Sequence, residues 1–143
     1  MDAKIIKFIE ENRIGVLSIL RKDGSPHSAT LHYAVSTKPL RFYFSTENTS
    51  RKCEGLLTGE VVKGSMVIGF REKEWLTLQM DGEVKGLLKP EDILEAQKIF
   101  YAKHPSSEKY KDDPATIFLE FTPSWWRFTD YNTKPTTIIS SEN

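Results

Sequence analysis

Residues 14–46 read IGVLSILRKDGSPHSATLHYAVSTKPLRFYFST, and this stretch decides the fold. Ile14–Leu20 and Ser28–Val35 are rich in Val, Ile, Leu, Thr and Tyr, and they flank Asp23-Gly24, a dipeptide that supplies the positive-φ positions of a tight hairpin turn. Ser36-Thr37-Lys38-Pro39 forms a second turn. In Leu40–Thr46, Leu40, Phe42 and Phe44 alternate with Arg41, Tyr43 and Ser45, so one face is apolar and the other is expected to look toward something polar. Three strands joined by short turns predict an antiparallel sheet.

The flanks extend this pattern. Asp2 can cap a first helix whose Ile5, Ile6 and Ile9 recur at helical spacing before Asn12-Arg13 ends it. Thr49 or Ser50 can cap a short helix to about Leu57, closed by Thr58-Gly59. Ser65–Phe70 and Trp75–Leu88 read as strands, the second bent at Gly82 and Gly86. Lys89-Pro90-Glu91-Asp92 starts a helix that Lys103-His104-Pro105 stops. Beyond the polar loop Ser106–Pro114, Ala115–Tyr131 is again strand, interrupted at Pro123, and 132–143 is expected to be a loose tail. About six strands in hairpin order lack the helix after every strand that a parallel α/β sheet needs. The expected fold is therefore mainly β (α+β): a closed or partly closed six-stranded antiparallel barrel with peripheral helices, forming one domain over 1–143.

Composition narrows the function. Twenty Lys+Arg balance twenty Asp+Glu, leaving no global basic field for nucleic acid. The longest apolar run, Ile99–Ala102, is far short of the roughly 20 residues of a membrane span, and Asp2, Lys4 and Lys7 occupy the place of a signal peptide's apolar stretch. The expectation is a cytoplasmic protein without membrane partners. One cysteine, Cys53, excludes an internal disulfide and any cysteine-based zinc or iron–sulfur site. No Gly-x-Gly-x-x-Gly, Walker loop, His-Glu-x-x-His or Gly-x-Ser-x-Gly occurs.

Chemistry concentrates where the third strand ends, in Ser45-Thr46-Glu47-Asn48-Thr49-Ser50-Arg51-Lys52. A helix N-terminus with a hydroxyl cap and two adjacent cations makes an anion site, and a phosphate monoester is its natural occupant. Arg51 can grip two phosphate oxygens while Lys52 adds a point charge. Cations in a first helical turn are unfavourable unless an anion answers them. Ser-Arg-Lys also suits a solvated loop, and spacing alone does not separate the two.

The strand–Ser50-Arg51-Lys52–helix block, preceded by the Pro26–Tyr33 strand and followed by Leu76-Thr77-Leu78-Gln79-Met80-Asp81-Gly82-Glu83-Val84, resembles the flavin-binding split-barrel family that includes pyridoxamine 5′-phosphate oxidase and the general-stress flavoproteins. The resemblance spans Ile14 to Val84. It implies a split barrel, a homodimer with FMN in clefts between subunits, and oxidoreductase chemistry. Position by position, it places Ser50, Arg51 and Lys52 on the FMN phosphate, to which the reading of the turn adds Thr49, and Ser45 and Thr46 beside the ribityl chain. It lays His27, Ser28, Ala29, Thr30, Leu31 and His32 along the isoalloxazine. His27 and His32 stand where the oxidase has an arginine and a lysine, and Thr77 where it has a glutamine. The oxidase's substrate-binding Arg-x-His segment is missing, since this chain reads Pro123-Ser124-Trp125-Trp126-Arg127-Phe128-Thr129-Asp130-Tyr131. Vitamin B6 oxidation is therefore not expected. A flavin carrier without turnover, or the same barrel holding deazaflavin or haem, remains open.

Other conspicuous residues have plainer readings. His27 and His32 are five apart, so on a regular strand they face opposite ways and cannot chelate one ion. His104 suits a helix C-terminus and Cys53 suits packing; Trp75, Trp125 and Trp126 could stack on a flavin or form a dimer interface, and core packing suits two of the three at least as well. Arg71-Glu72-Lys73-Glu74 reads as a solvated hairpin tip.

Overall fold

A computed structural model describes residues 1–141; Glu142 and Asn143, the end of the expected tail, lie outside the described residues. The order is α1 (Ala3–Glu11), β1 (Ile14–Leu20), β2 (Pro26–His32), β3 (Ala34–Thr37), β4 (Leu40–Glu47), β5 (Val61–Ile68), β6 (Leu76–Gly86), α2 (Pro90–Lys103), β7 (Thr116–Asp130) and β8 (Thr137–Ser140). Seven strands follow the path β2-β1-β5-β6-β7-β4-β3, one more than expected, and β8 joins the side of β7. All pairings are antiparallel.

The extra strand arises at Tyr33. Sequence reading takes Ser28–Val35 as one strand, but the chain changes partners there, leaving β1 for β4. Tyr33 is fully buried, its N–H donates to the Arg13 carbonyl, and its hydroxyl donates to the Ile9 carbonyl at 2.6 Å. Consecutive strands thus occupy opposite ends of the sheet path, which curls the sheet into a split barrel.

The concave face holds the main core. Leu17, Phe42, Phe44, Met66, Leu78, Met80, Leu119, Phe121 and Phe128 meet there, and α1 closes it with Ile5, Phe8 and Ile9. A second cluster lies on the outer face, where Ala96, Phe100 and Tyr101 of α2 cover Ala34, Tyr43 and Phe118. Alternation in β4 correctly separates Phe42 and Phe44 from Tyr43. It fails for Tyr43's surroundings, because α2 buries a face expected to be polar.

Three further expectations are corrected. The helix from Thr49 or Ser50 to Leu57 is a single 3₁₀ turn, Arg51–Cys53, with no side-chain cap. Ser50 instead turns its hydroxyl back to the Glu47 carbonyl, and so short a helix has little stability of its own. The segment is pinned by Cys53 and Leu56, both buried. β5 begins at Val61 rather than Ser65, paired with the far end of β6. The tail is not loose throughout, since β8 pairs Thr137 with Asp130 and Ser140 with Arg127.

Glycine acts as expected at two points. Gly24 takes φ +84° in the β1–β2 turn, where Asp23 accepts from the Ser25 N–H. Gly82 marks a register shift between β6 and β7, and a Cβ there would collide with the Thr122 carbonyl. Among the described residues no helix is long and apolar enough to cross a membrane.

Candidate functional site

β2 lies at one end of the sheet path, paired only with β1, so its other edge is open. Along it Ser28, Thr30 and His32 are exposed while His27, Ala29 and Leu31 are half-buried. His27 and His32 therefore sit on opposite faces, and their separation along the strand is roughly 16 Å at the usual rise. No group of residues suited to a metal occurs among the described residues.

β2 touches the Arg51–Cys53 turn, and Leu20, the partner of Pro26 at the start of β2, clusters with Arg51 and Lys52, so the fold places the phosphate candidates beside one end of the ring-strand candidates. Arg51 is exposed and Lys52 half-buried, its ammonium donating to the Ser50 hydroxyl at 3.1 Å. Ser45 and Thr46, half-buried at the end of β4, are held by pairing to Phe118 and Ile117. Thr49 is exposed just before the turn. The helix-terminus argument does not hold for a single 3₁₀ turn, and the cations and the hydroxyl remain.

The fold adds cations that the sequence reading missed. Arg21 and Lys22, leaving β1 for the hairpin turn, meet Arg51 and Lys52 around one spot. Arg21 is mostly buried, bonded to Glu54 at 2.8 Å and paired with Asp23 at 3.5 Å. Its Nε is buried with no hydrogen-bond partner among the described residues. The hydrogen bond that Arg21 donates to Glu54 makes the guanidinium more basic, and in return holds the Glu54 carboxyl below the usual carboxylate range. Asp23 is lowered chiefly by its bonds from Ser25, with smaller help from Arg21 and Arg51. Four cations and two acids leave two positive charges, the complement of a phosphate monoester near neutral pH. The space enclosed by these side chains is only about 10 Å³, so an anion would lie on their outer surface.

Thr77 does not join this group within one chain. Ile68 pairs with both Gly15 and Leu78, which sets Thr77 level with the start of β1, whereas Arg21 follows its end. Thr77 is buried, and its hydroxyl donates to the Ile68 carbonyl. His32 belongs to the same far end, its ring edge-on to His104 at 5.2 Å. His104 is more than a helix-end charge: its Nε2 bonds the Tyr33 carbonyl at 2.7 Å and its Nδ1 meets Arg13 at 3.0 Å. Of the tryptophans, Trp126 packs against the core, while Trp75 is exposed, edge-on to Phe70 at 5.1 Å.

A search of curated proteins finds no match. Among solved structures, a Clostridium acetobutylicum protein related to general stress protein 26 of B. subtilis, of the pyridoxinephosphate oxidase family, superposes with TM-score 0.71 at 16% identity, covering 96% of this chain and 92% of that one. An FAD-binding protein from Mesorhizobium loti gives TM-score 0.64 at 18% identity over 90% of this chain and 94% of its own. A heme binding protein from Mycobacterium smegmatis gives TM-score 0.75 at 11% identity over 99% of this chain but only 58% of its own. These likenesses establish the fold. The sequence profile described as pyridoxamine 5′-phosphate oxidase matches residues 1–130, and the chain therefore belongs to that family.

Proposed function

We propose that this chain is an FMN-binding flavoprotein that works as a homodimer, with the cofactor between subunits, and serves an oxidoreductase role in the cytoplasm. The observation that carries the reading is the convergence of Arg21, Lys22, Arg51 and Lys52 around the Arg51–Cys53 turn, which touches β2. Their net charge suits the phosphate, which would sit on the outer surface of these side chains. The ring would lie along His27–His32, with Ser45 and Thr46 at the ribityl end. Thr77 lies at the far end of the sheet from these cations, at the same end as His32, with its buried hydroxyl bonded to the Ile68 carbonyl. When bound, the flavin supplies hydride or electron transfer, while these side chains hold and orient it.

Purified protein is expected to be yellow or to take up FMN stoichiometrically. Arg51→Ala with Lys52→Ala should weaken FMN far more than riboflavin. Equal loss for both ligands would show that the phosphate is held elsewhere.

A haem reading has support from the fold shared with the M. smegmatis heme binding protein. A haem Soret band in place of flavin absorption would favour it. A flavin that no nicotinamide donor reduces at a useful rate would favour a carrier.

A further inference from the structure

We propose that the cleft between the end of β6 and the bend of β7 binds a small zwitterion of amino-acid size. This site is separate from the flavin reading and does not depend on it.

The sheet register assembles the cleft. Glu120 pairs with both Lys85 and Tyr43, Thr122 pairs with Glu83, and Arg41 precedes the Phe42–Phe121 pair. Phe42, Val84 and Phe121 point into the core, so strand alternation sends Arg41, Glu83, Lys85 and Glu120 to the outer face. α2 covers the neighbouring part of that face at Tyr43 and Phe118 and stops short of this one. The result is an open cavity of about 310 Å³, at the low end for small-molecule sites. Val61 and Pro123 give it apolar walls.

Its charges ask for both signs at once. Glu120 is 7% exposed, yet among the described residues its nearest cation is Lys85 at 3.7 Å, beyond hydrogen-bond reach. Its carboxylate has no hydrogen-bond donor among the described residues and can accept an added N–H. Its charge is felt by Tyr43, whose phenol is pushed up by burial and then by Glu120. Arg41 is half-buried and has no ion-pair partner among the described residues. An ammonium at Glu120, with Glu83 beside it, and a carboxylate at Arg41 would satisfy the cleft without adding net charge. A simple anion or cation would answer one end and leave the other. A solvated cross-strand charge ladder would explain Arg41 and Glu83, but it would not bury Glu120.

The test is calorimetric titration of the full chain with L-valine, isobutylamine and isovalerate, a set that removes the carboxylate and the ammonium in turn. Valine is expected to bind at least about tenfold more tightly than either single-ended analogue. Arg41→Gln and Glu120→Gln should each erase that preference while leaving the far-UV spectrum unchanged. If Glu120→Gln does not fold, Arg41→Gln and the exposed Glu83→Gln carry the test. Absence of saturable valine binding, equal binding of valine and isobutylamine, or a preference that survives in Arg41→Gln would each overturn the proposal.

Discussion

Lys4 donates to the Asp130 carboxylate across 2.6 Å, although the two are 126 positions apart in the chain. The bond ties α1, which closes the mouth of the core, to the end of β7. Asp130 also accepts from the backbone and side-chain N–H groups of Asn132. The Lys4 bond first, then the Asn132 bonds, lower its pKa from 3.8 to about 2. A carboxyl depressed in the folded state stabilises it above the unfolded pKa, and that contribution is lost as pH falls through the folded one. Stability should therefore drop between about pH 4 and pH 2. Asp130→Asn should flatten that part of the curve, as urea midpoints against pH would show. An unchanged acid limb would disprove the link.

At the other end of the first helix, Lys103 points its ammonium to the Asn12 carbonyl and lies 4.4 Å from the centre of the Tyr33 ring. Burial first, and then Arg13, lower its pKa from 10.5 to about 8. Between these values the unfolded chain binds a proton that the folded chain has released, so stability should rise as pH climbs from about 8 toward 10.5. Lys103→Met should remove the rise. A flat profile in the parent chain would mean that the amine stays hydrated.

His104 follows the same sign at lower pH. Its Nε2–H donates to the Tyr33 carbonyl, so its Nδ1 is left to accept from Arg13, and the neutral ring satisfies both. Burial chiefly lowers its pKa; the Tyr33 bond opposes this, and repulsion from Arg13, His32 and Lys103 adds to the lowering. Below pH 6.5 the unfolded chain takes up a proton that this site resists, and stability should fall. Nitrogen NMR should find the Nε2–H tautomer persisting at a pH where a free histidine is already charged. The opposite tautomer would contradict the assigned bonds.

Arg21 offers a test of the phosphate grip independent of the turn it faces. Arg21→Met keeps much of the packing of a mostly buried side chain while deleting its charge and its Nε donor. If the proposed FMN site is right, affinity for FMN should fall by roughly tenfold or more, the scale of one charge-assisted bond, while riboflavin changes little. Combining it with Arg51→Ala should give less than the sum of the two effects if both meet one phosphate.

The sequence announced what repeats and hid what depends on distant neighbours. The Asp23-Gly24 hairpin, the Pro90 helix start and the inward Phe42 and Phe44 follow from local turn chemistry and period, and all are present. The Tyr33 break was not legible, because Tyr has high strand propensity and only its contacts with Ile9 and Arg13 turn the chain. The 3₁₀ turn at Arg51 was misread for the opposite reason: Ser50 fits a cap in every local respect, but its hydroxyl goes to Glu47. Ser50, Arg51 and Lys52 were visible as a cluster, whereas Arg21 and Lys22 are about thirty positions away and join them only through the curl of the sheet. The one available signal was a second adjacent cation pair at the mouth of a hairpin.

Tyr33 itself gives the most local test of how the barrel is closed. The last carbonyls of α1 have no partner within the helix, and the fold supplies them from outside: Tyr33 donates to Ile9, and Lys103 to Asn12 just beyond. Tyr33→Phe removes one donor and keeps the ring, which is edge-on to Phe42 at 5.4 Å. Since the Ile9 carbonyl then stays buried without that bond, the loss should be about 1–3 kcal/mol, against about 3–5 kcal/mol for Tyr33→Ala, which also empties the core. Urea denaturation separates the two. The alkaline rise assigned to Lys103 should survive in Tyr33→Phe, because the ring face beneath the ammonium is intact. If the rise vanished with the hydroxyl alone, the hydroxyl and not burial would be setting the basicity of Lys103.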